Sequence, residues 1–352
     1  MLPAASQPFS ALLTTTAPAN SPQEAAEIAL VHFGVTATAR LLTSERDQNF
    51  HLIGADDRQY VLKITNSAED PAVTNLQTMA LLHVARTNPA LPVPRIFAAR
   101  DGRYEVALAL PDGSSSLVRL LSYMPGEPLH KAARSQGQVR RLARCLAELG
   151  LALRGFFHPA AGHELLWDLK HAARLRSLVN QIGEGKRRAL ASRFLDSFED
   201  HALPVLASLR AQVIHNDFNP HNVLVDADDP ETVTGILDFG DMVHAPLVND
   251  VAIGASYQVT SGGDPLEALA EFVKAYHAVV PLEPTEIDIL FDLVAARQVM
   301  TVAITEWRAS RYPNNRTYIL RNNPRAWAGL ESFAPLSREA ARDALRRACA
   351  ME

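Results

Sequence analysis

The chain changes character at Met124-Pro125-Gly126. Before that turn, short apolar runs alternate with polar residues. ARLLTSERDQNFHLIG and RQYVLKIT read as strands joined by a turn at Ala55-Asp56-Asp57, with the polar stretch Ser44–Asn49 as a loop within the first. LPVPRIFAAR, GRYEVALAL and SSLVRLLSYM return to strand-like character. One helical spacing interrupts them, at Val73, Leu76, Met79, Ala80 and Val84. An earlier helix is announced by Ser21 as cap, Pro22 in its first position and Glu24 reaching back, and Gly34 is placed to end it. After the turn helices dominate: Gln138–Phe157, Leu165–Val179, Lys186–His201, Pro265–Val280, Ile287–Arg311 and Arg338–Ala350. The expected class is α+β, with a small sheet of about five strands followed by a larger helical lobe and a ligand cleft between the two. The expected boundaries are a loose arm over 1–20, a β-rich lobe over 21–121, a hinge over 122–126 and a helical lobe over 127–352.

Two stretches inside the helical half break its pattern. VIHNDFNPHNVLVD and VTGILDFGD each leave a β-like apolar run and enter a polar loop. Asp217 is followed five residues later by Asn222, and Asp238 opens a D-F-G turn. This combination suits phosphoryl transfer assisted by Mg²⁺. A hydroxyl nucleophile needs a base, and Asp217 is the candidate. Phosphates need hard cations held by oxygen, and Asn222 with Asp238 offers an amide oxygen and a carboxylate. Pro220 fixes φ in the turn that separates the two roles.

Composition removes several other classes. The 352 residues carry a formal net charge of −5, which argues against a nucleic-acid surface as the main function. No apolar run reaches the length of a membrane span, and the first twenty residues lack the basic start and apolar core of a signal peptide. Cys145 and Cys349 form neither a disulfide framework nor a close-spaced zinc cluster, so a reducing, cytoplasmic setting is expected. The expected partners are a nucleotide and a small-molecule acceptor, with no nucleic acid and no membrane. Oligomeric state leaves no mark in the sequence.

With these residues in place, the chain resembles the aminoglycoside phosphotransferase and choline kinase superfamily, small-molecule kinases with a protein-kinase-like fold. HNDFNPHNVLVD, ILDFGDMVHAPLVNDVA and ITEWRASRYPNNRTYILRNNPRAW look most like hydroxylysine kinase and its bacterial relatives. The resemblance implies that Lys63, in YVLKIT, holds the nucleotide phosphates. It implies that SERDQNF covers them, using Ser44, Gln48, Asn49 and backbone N–H groups because no G-x-G-x-x-G is present. The usual carboxylate partner of the lysine is replaced by Gln77, which supplies a hydrogen bond but no charge. Ser122, Tyr123 and Met124 would form the hinge whose backbone meets the purine of ATP or GTP. His215 and Asp250 would hold the catalytic loop structurally.

The acceptor should lie beyond Asp217. An amino-acid alcohol wants acids for its ammonium and arginines for its carboxylate. Asp241, Trp167, Asp168, Glu306, Trp307, Arg308 and Arg311 are the candidates, with Trp307 and Arg311 sharing a helix face. The arginines of the late segment favour an acceptor with its own carboxylate, such as hydroxylysine. Homoserine, choline, ethanolamine or an aminoglycoside are the alternatives within the superfamily, and a catalytically inactive nucleotide-binding regulator is the alternative outside enzymes. A protein kinase is disfavoured, since no A-P-E segment follows the D-F-G turn.

Overall fold

The computed structural model describes residues 18–44, 46–110, 113–259 and 264–351. Most of the expected N-terminal arm, residues 1–17, lies outside the described residues. The chain divides into two compact units. One holds Met1–Gly126 with Phe156–His163 and Thr234–Gly240; the other holds Glu127–Gly155, Glu164–Val233 and Asp241–Glu352.

The first unit opens with α1 (Pro22–Ile28), whose capping box between Ser21 and Glu24 forms as the sequence anticipates. The helix widens into one π-turn over Ala29–Phe33 and ends at Gly34, which takes φ +73. Then come β1 (Ala37–Leu42), β2 (Gln48–Gly54) and β3 (Gln59–Ile64), all antiparallel neighbours. Helix α2 (Pro71–Thr87), capped by Asp70, precedes β4 (Ile96–Phe97), β5 (Val106–Ala109) and β6 (Ser115–Ser122). The sheet thus has six strands, with β6 paired to β3, β4 and β5. Only two residues of LPVPRIFAAR pair as a strand; Pro92 and Pro94 lack the N–H that a longer ladder needs. Gln48 and Asn49, expected in a loop, are the first residues of β2.

Alternation along the strands gives the sheet two different faces. Phe50, Leu62 and Leu120 stand in one row across β2, β3 and β6, and they pack with Ala25, Ile28 and Ala29 of the first helix in a buried cluster. Asn49, Lys63 and Arg119 form the neighbouring row on the opposite face. A single polar residue between Leu62 and Ile64 is therefore the expected outcome of a strand with one greasy face.

The second unit begins with β7 (Glu127–Pro128), which pairs with β9 (Val223–Val225), and α3 (Gln136–Ala152). The helix expected over Leu165–Val179 is instead a 3₁₀ segment, Leu169–Leu175, followed by one α-turn, α4 (Arg176–Val179). Its buried residues Leu169, Ala172 and Leu175 recur every third position, which is the 3₁₀ period rather than the α period. Next come α5 (Gly185–Ser197), α6 (Leu203–Leu206), β8 (Ala211–Ile214) and β11 (Val243–Pro246), while β10 (Val233–Ile236) belongs from Thr234 onward to the first unit. Helix α7 (Leu247–Ser256) is buried along its whole length. Helices α8 (Pro265–His277), α9 (Pro284–Asp288), α10 (Leu290–Arg311), α11 (Arg316–Ile319), α12 (Asn323–Phe333) and α13 (Arg338–Ala348) complete the unit. The long late helix is broken at Ile289, so α9 and α10 replace one continuous element. Among the described residues no helix is long and apolar enough to cross a membrane.

Candidate active site

Strand β8 pairs antiparallel with β11, with Ile214 opposite Val243. The chain leaves the sheet at His215 and runs through the loop to Asn222. Asp250, on the first turns of α7, anchors the start of this loop. Its Oδ2 accepts the His215 N–H at 3.1 Å and its Oδ1 accepts the Asn216 N–H at 2.8 Å. Burial pushes the Asp250 carboxyl above the ordinary value, against the pull of His215 and of the two N–H groups. His215 is fully buried, and its Nδ1 accepts the Asp217 N–H at 3.2 Å. Asn216 sits at φ +64, a left-handed conformation that Asn tolerates better than most residues.

Asp217 is held on two sides. Asn222 Nδ2 donates to Asp217 Oδ2 at 2.6 Å and to its backbone carbonyl at 3.1 Å. The five-residue offset therefore closes a ring, as the motif requires. On the other side, Arg297 Nη2 reaches Asp217 Oδ1 at 3.3 Å. Arg297 comes from the middle of α10, and only 3% of its side chain is exposed. Its Nη1 donates to the Trp167 carbonyl at 3.1 Å, and its guanidinium lies over the Trp167 ring, 5.2 Å from the centroid. Burial opposes its charge, but Tyr257, Asp217 and Asp241 outweigh it and hold the guanidinium above its usual value. The sequence reading missed Arg297. It sits in an apolar helix with no motif around it, and a charged residue in so buried a run was the only signal.

In the first unit, Lys63 Nζ lies 3.0 Å from Asp47 Oδ2 and 3.9 Å from Asp238 Oδ1. Gln77, expected to pair with Lys63, turns elsewhere: its Oε1 accepts from Arg119 Nη2 at 2.9 Å. Arg119 stands beside Lys63 in the register and claims the helix side chain first. Gln48 is also diverted, since its side chain accepts the Asn20 N–H at 2.8 Å and donates to the Asn20 carbonyl at 2.7 Å. Asn49 shares the Lys63 face, and its Oδ1 is buried without a hydrogen bond. Ser44 is half-buried in the β1–β2 connection. Asp238 takes φ +57, and its side chain is 51% exposed. Burial of the group works against its charge, yet Lys63 and Arg46 keep its carboxyl below the ordinary value.

At the expected hinge, two backbone donors are engaged within the unit. The Ser122 N–H bonds the Arg95 carbonyl at 2.8 Å and the Tyr123 N–H bonds the Gln59 carbonyl at 3.1 Å. Of the expected donors for a purine, that leaves the Met124 N–H. The Tyr123 ring stacks on His51, with centroids 4.1 Å apart.

The acceptor candidates do not converge on one cluster. Asp241 is buried and contributes to the field at Arg297. Trp167 gives its ring to Arg297, so its face is already covered by a cation of the protein. Asp168 caps the 3₁₀ segment through the Lys170 N–H at 3.0 Å and pairs with the Lys170 ammonium at 3.2 Å. Glu306 accepts from Trp327 Nε1 at 2.9 Å. Trp307 and Arg311 do share a helix face, with the guanidinium 4.7 Å from the ring centroid. Arg308 is half-buried on the same helix.

A divalent cation requires hard oxygen donors, and the candidate ligands fit that need. Asn222 uses its nitrogen toward Asp217, which leaves Oδ1 as the free end of the amide. Asp238 keeps a half-exposed carboxylate. Among the described residues no group of three or more His, Cys, Asp or Glu side chains forms a self-sufficient metal cage. Magnesium typically uses one or two protein oxygens and completes its shell with phosphate and water.

A fold with an antiparallel sheet and a helical part is that of a kinase-like phosphotransferase. The chain belongs to the phosphotransferase enzyme family (APH), whose model matches residues 38–284. It is similar to proteins named hydroxylysine kinase: 27% identical to that of Mus musculus over 85% of both chains, and 26% to that of Bos taurus over 92% of both. Among solved structures it resembles a microcompartment-associated aminopropanol kinase, with TM-score 0.62 and 21% identity over 93% of this chain and 94% of that one. It also resembles amicoumacin kinase in complex with AMP-PNP, with TM-score 0.66 and 12% identity over 91% and 97%. The chain is thus an enzyme that transfers a phosphoryl group to a hydroxyl.

Proposed function

We propose that the protein is a small-molecule kinase that moves the γ-phosphoryl group of ATP or GTP to the hydroxyl of a hydroxy amino acid, hydroxylysine or a close analogue. The observation that carries this reading is the Asp217 carboxylate, fixed by Asn222 and Arg297 on a loop anchored by Asp250. Asp217 Oδ accepts a hydrogen bond from the acceptor hydroxyl and takes its proton as the oxygen closes on the γ-phosphorus. The new O–P bond forms, the bond to the β–γ bridging oxygen breaks, and the electron pair leaves with the nucleoside diphosphate. Arg297 keeps the carboxylate oriented. Lys63 holds phosphate oxygens of the donor with its ammonium in this reading. Asn222 and Asp238 would each offer an oxygen to Mg²⁺, which would supply charge neutralisation at the phosphates.

Two arguments favour an acceptor with its own carboxylate. The late segment carries Arg308, Arg311, Arg316 and Arg321, and curated relatives along nearly the whole chain are named for hydroxylysine. The test is an acceptor screen with Mg·ATP and Mg·GTP, following nucleoside diphosphate release above the no-acceptor background. Turnover should be greatest with hydroxylysine and weaker with homoserine, ethanolamine, choline, aminopropanol and aminoglycosides. A preference for choline or an aminoglycoside would replace the acceptor. No turnover with any alcohol, alongside tight nucleotide binding, would favour a regulatory nucleotide-binding role. Asp217→Asn should lower kcat by about 10²–10⁴-fold with nucleotide binding nearly unchanged. Near-normal turnover in that variant would remove Asp217 as the base. Asp238→Ala should weaken Mg²⁺ dependence and nucleotide binding together.

A further inference from the structure

We infer that Asp47 is the positioning residue for Lys63, supplying from the β1–β2 connection the carboxylate that α2 lacks. The inference rests on the reading that Lys63 holds nucleotide phosphates.

Three observations lead to it. First, the helix cannot serve. Gln77 is neutral, and it is hydrogen-bonded to Arg119 rather than to Lys63. Second, Lys63 and Arg119 are direct cross-strand partners on β3 and β6. Two like charges so placed repel each other, and a counter-ion must offset them for the lysine to hold a defined position. Asp47 is that counter-ion. Burial opposes its ionisation, but Lys63, the Asn66 N–H and Arg119 hold its carboxyl below the ordinary value. Third, Asp47 is itself fixed. Its Oδ1 accepts the Asn66 N–H at 3.0 Å, and Asn66 Nδ2 donates to the Arg46 carbonyl at 3.1 Å. Asn66 lies just beyond the end of β3, the strand that carries Lys63. Asp47 and Lys63 are therefore referenced to the same strand. Each side chain of the pair is only 17% exposed, so solvent screens it less than a surface ion pair.

The ion pair with Asp47 limits the positions open to the Lys63 ammonium. The charge of Asp47 also tempers the attraction of Lys63 for phosphate, so the lysine orients the donor without trapping the product. Asp238, 3.9 Å from the same ammonium, is the second anion at the site.

The test uses the full-length protein and four variants. Asp47→Asn keeps an oxygen for the Asn66 N–H and removes only the charge. It should lower kcat by about 10–100-fold, the usual cost of misplacing a reacting group by about an ångström. Its melting temperature should stay close to native. Asp47→Glu should recover part of the loss. Gln77→Glu added to Asp47→Asn should recover nothing, because residue 77 faces Arg119. Lys63→Met tests the underlying reading: it should weaken binding of the nucleoside diphosphate while leaving the nucleoside unaffected. If Lys63→Met leaves diphosphate binding intact, the lysine assignment fails. If Lys63→Met weakens that binding but Asp47→Asn retains kcat within twofold of native, or Gln77→Glu rescues it, Asp47 is not the positioning residue.

Discussion

Arg297 shows how one buried side chain can make several contacts at once. It is among the most buried cations of the second unit, and it meets Asp217, the Trp167 carbonyl and the Trp167 ring at once. Arg297→Lys would keep a charge but lose the planar fork that reaches both Asp217 and Trp167. We expect kcat to fall by about 10-fold or more, with the KM for nucleotide changed far less, measured by steady-state kinetics with the best acceptor. An unchanged kcat alongside a lower unfolding midpoint would mean that Arg297 only supports the fold. Asp250 belongs to the same scale. Asp250→Ala leaves the His215 and Asn216 N–H groups buried without an acceptor. It should destabilise the protein by about 2–5 kcal/mol, read as a lower urea midpoint. The sequence singled out Asp217, Asn222, Asp238 and Asp250 as candidates because each belongs to a spaced motif. It hid Arg297 and Asp47, whose roles depend on which strand or helix lies opposite them. Gln77 was misread for the same reason: a spacing identifies the helix face but not the competing partner, Arg119, on β6.

At the level of elements, the close passage of α7 past its neighbours depends on Gly254. A Cβ placed there would come within 2.8 Å of Phe272 on α8 and 3.0 Å of Leu146 on α3. Gly254→Ala should therefore destabilise by about 1–3 kcal/mol despite the better helix propensity of alanine, which thermal unfolding would register. A variant more stable than native would mean that the three helices part readily. Because α7 also carries Asp250, the same substitution should disturb the start of the loop from His215 to Asn222. Element type was legible wherever an apolar period ran for several turns, as in α2, α3, α8 and α10. It failed in short or interrupted stretches. Leu165–Val179 was mistaken for an α-helix because residues three apart look alike in both helix types until the count is long enough to separate them. Ile289 breaks a run whose composition gives no Gly or Pro to mark the place.

For the whole molecule, the two thiols report on integrity. Burial pushes Cys145 up to about 12 and Cys349 up to about 11. Neither forms a disulfide. The native protein should thus react slowly with a thiol reagent at pH 8, and both cysteines should label rapidly in denaturant. Labelling through a denaturant series would then follow unfolding of the second unit, where both cysteines reside. Fast modification of Cys145 without denaturant would contradict its burial. The α+β class was readable from the order of periods along the chain, and the family follows from a match over residues 38–284.

The partner of Lys63 is stapled, through Asn66, to the end of the lysine's own strand. Helix α2 carries no carboxylate, and its Gln77 is bonded to Arg119 and not to Lys63. A kinase whose key lysine depends on a helix can be throttled by anything that leans on the helix. On the reading that Lys63 holds phosphates, a push on α2 would be felt first at Arg119, which Gln77 meets, and not at Lys63.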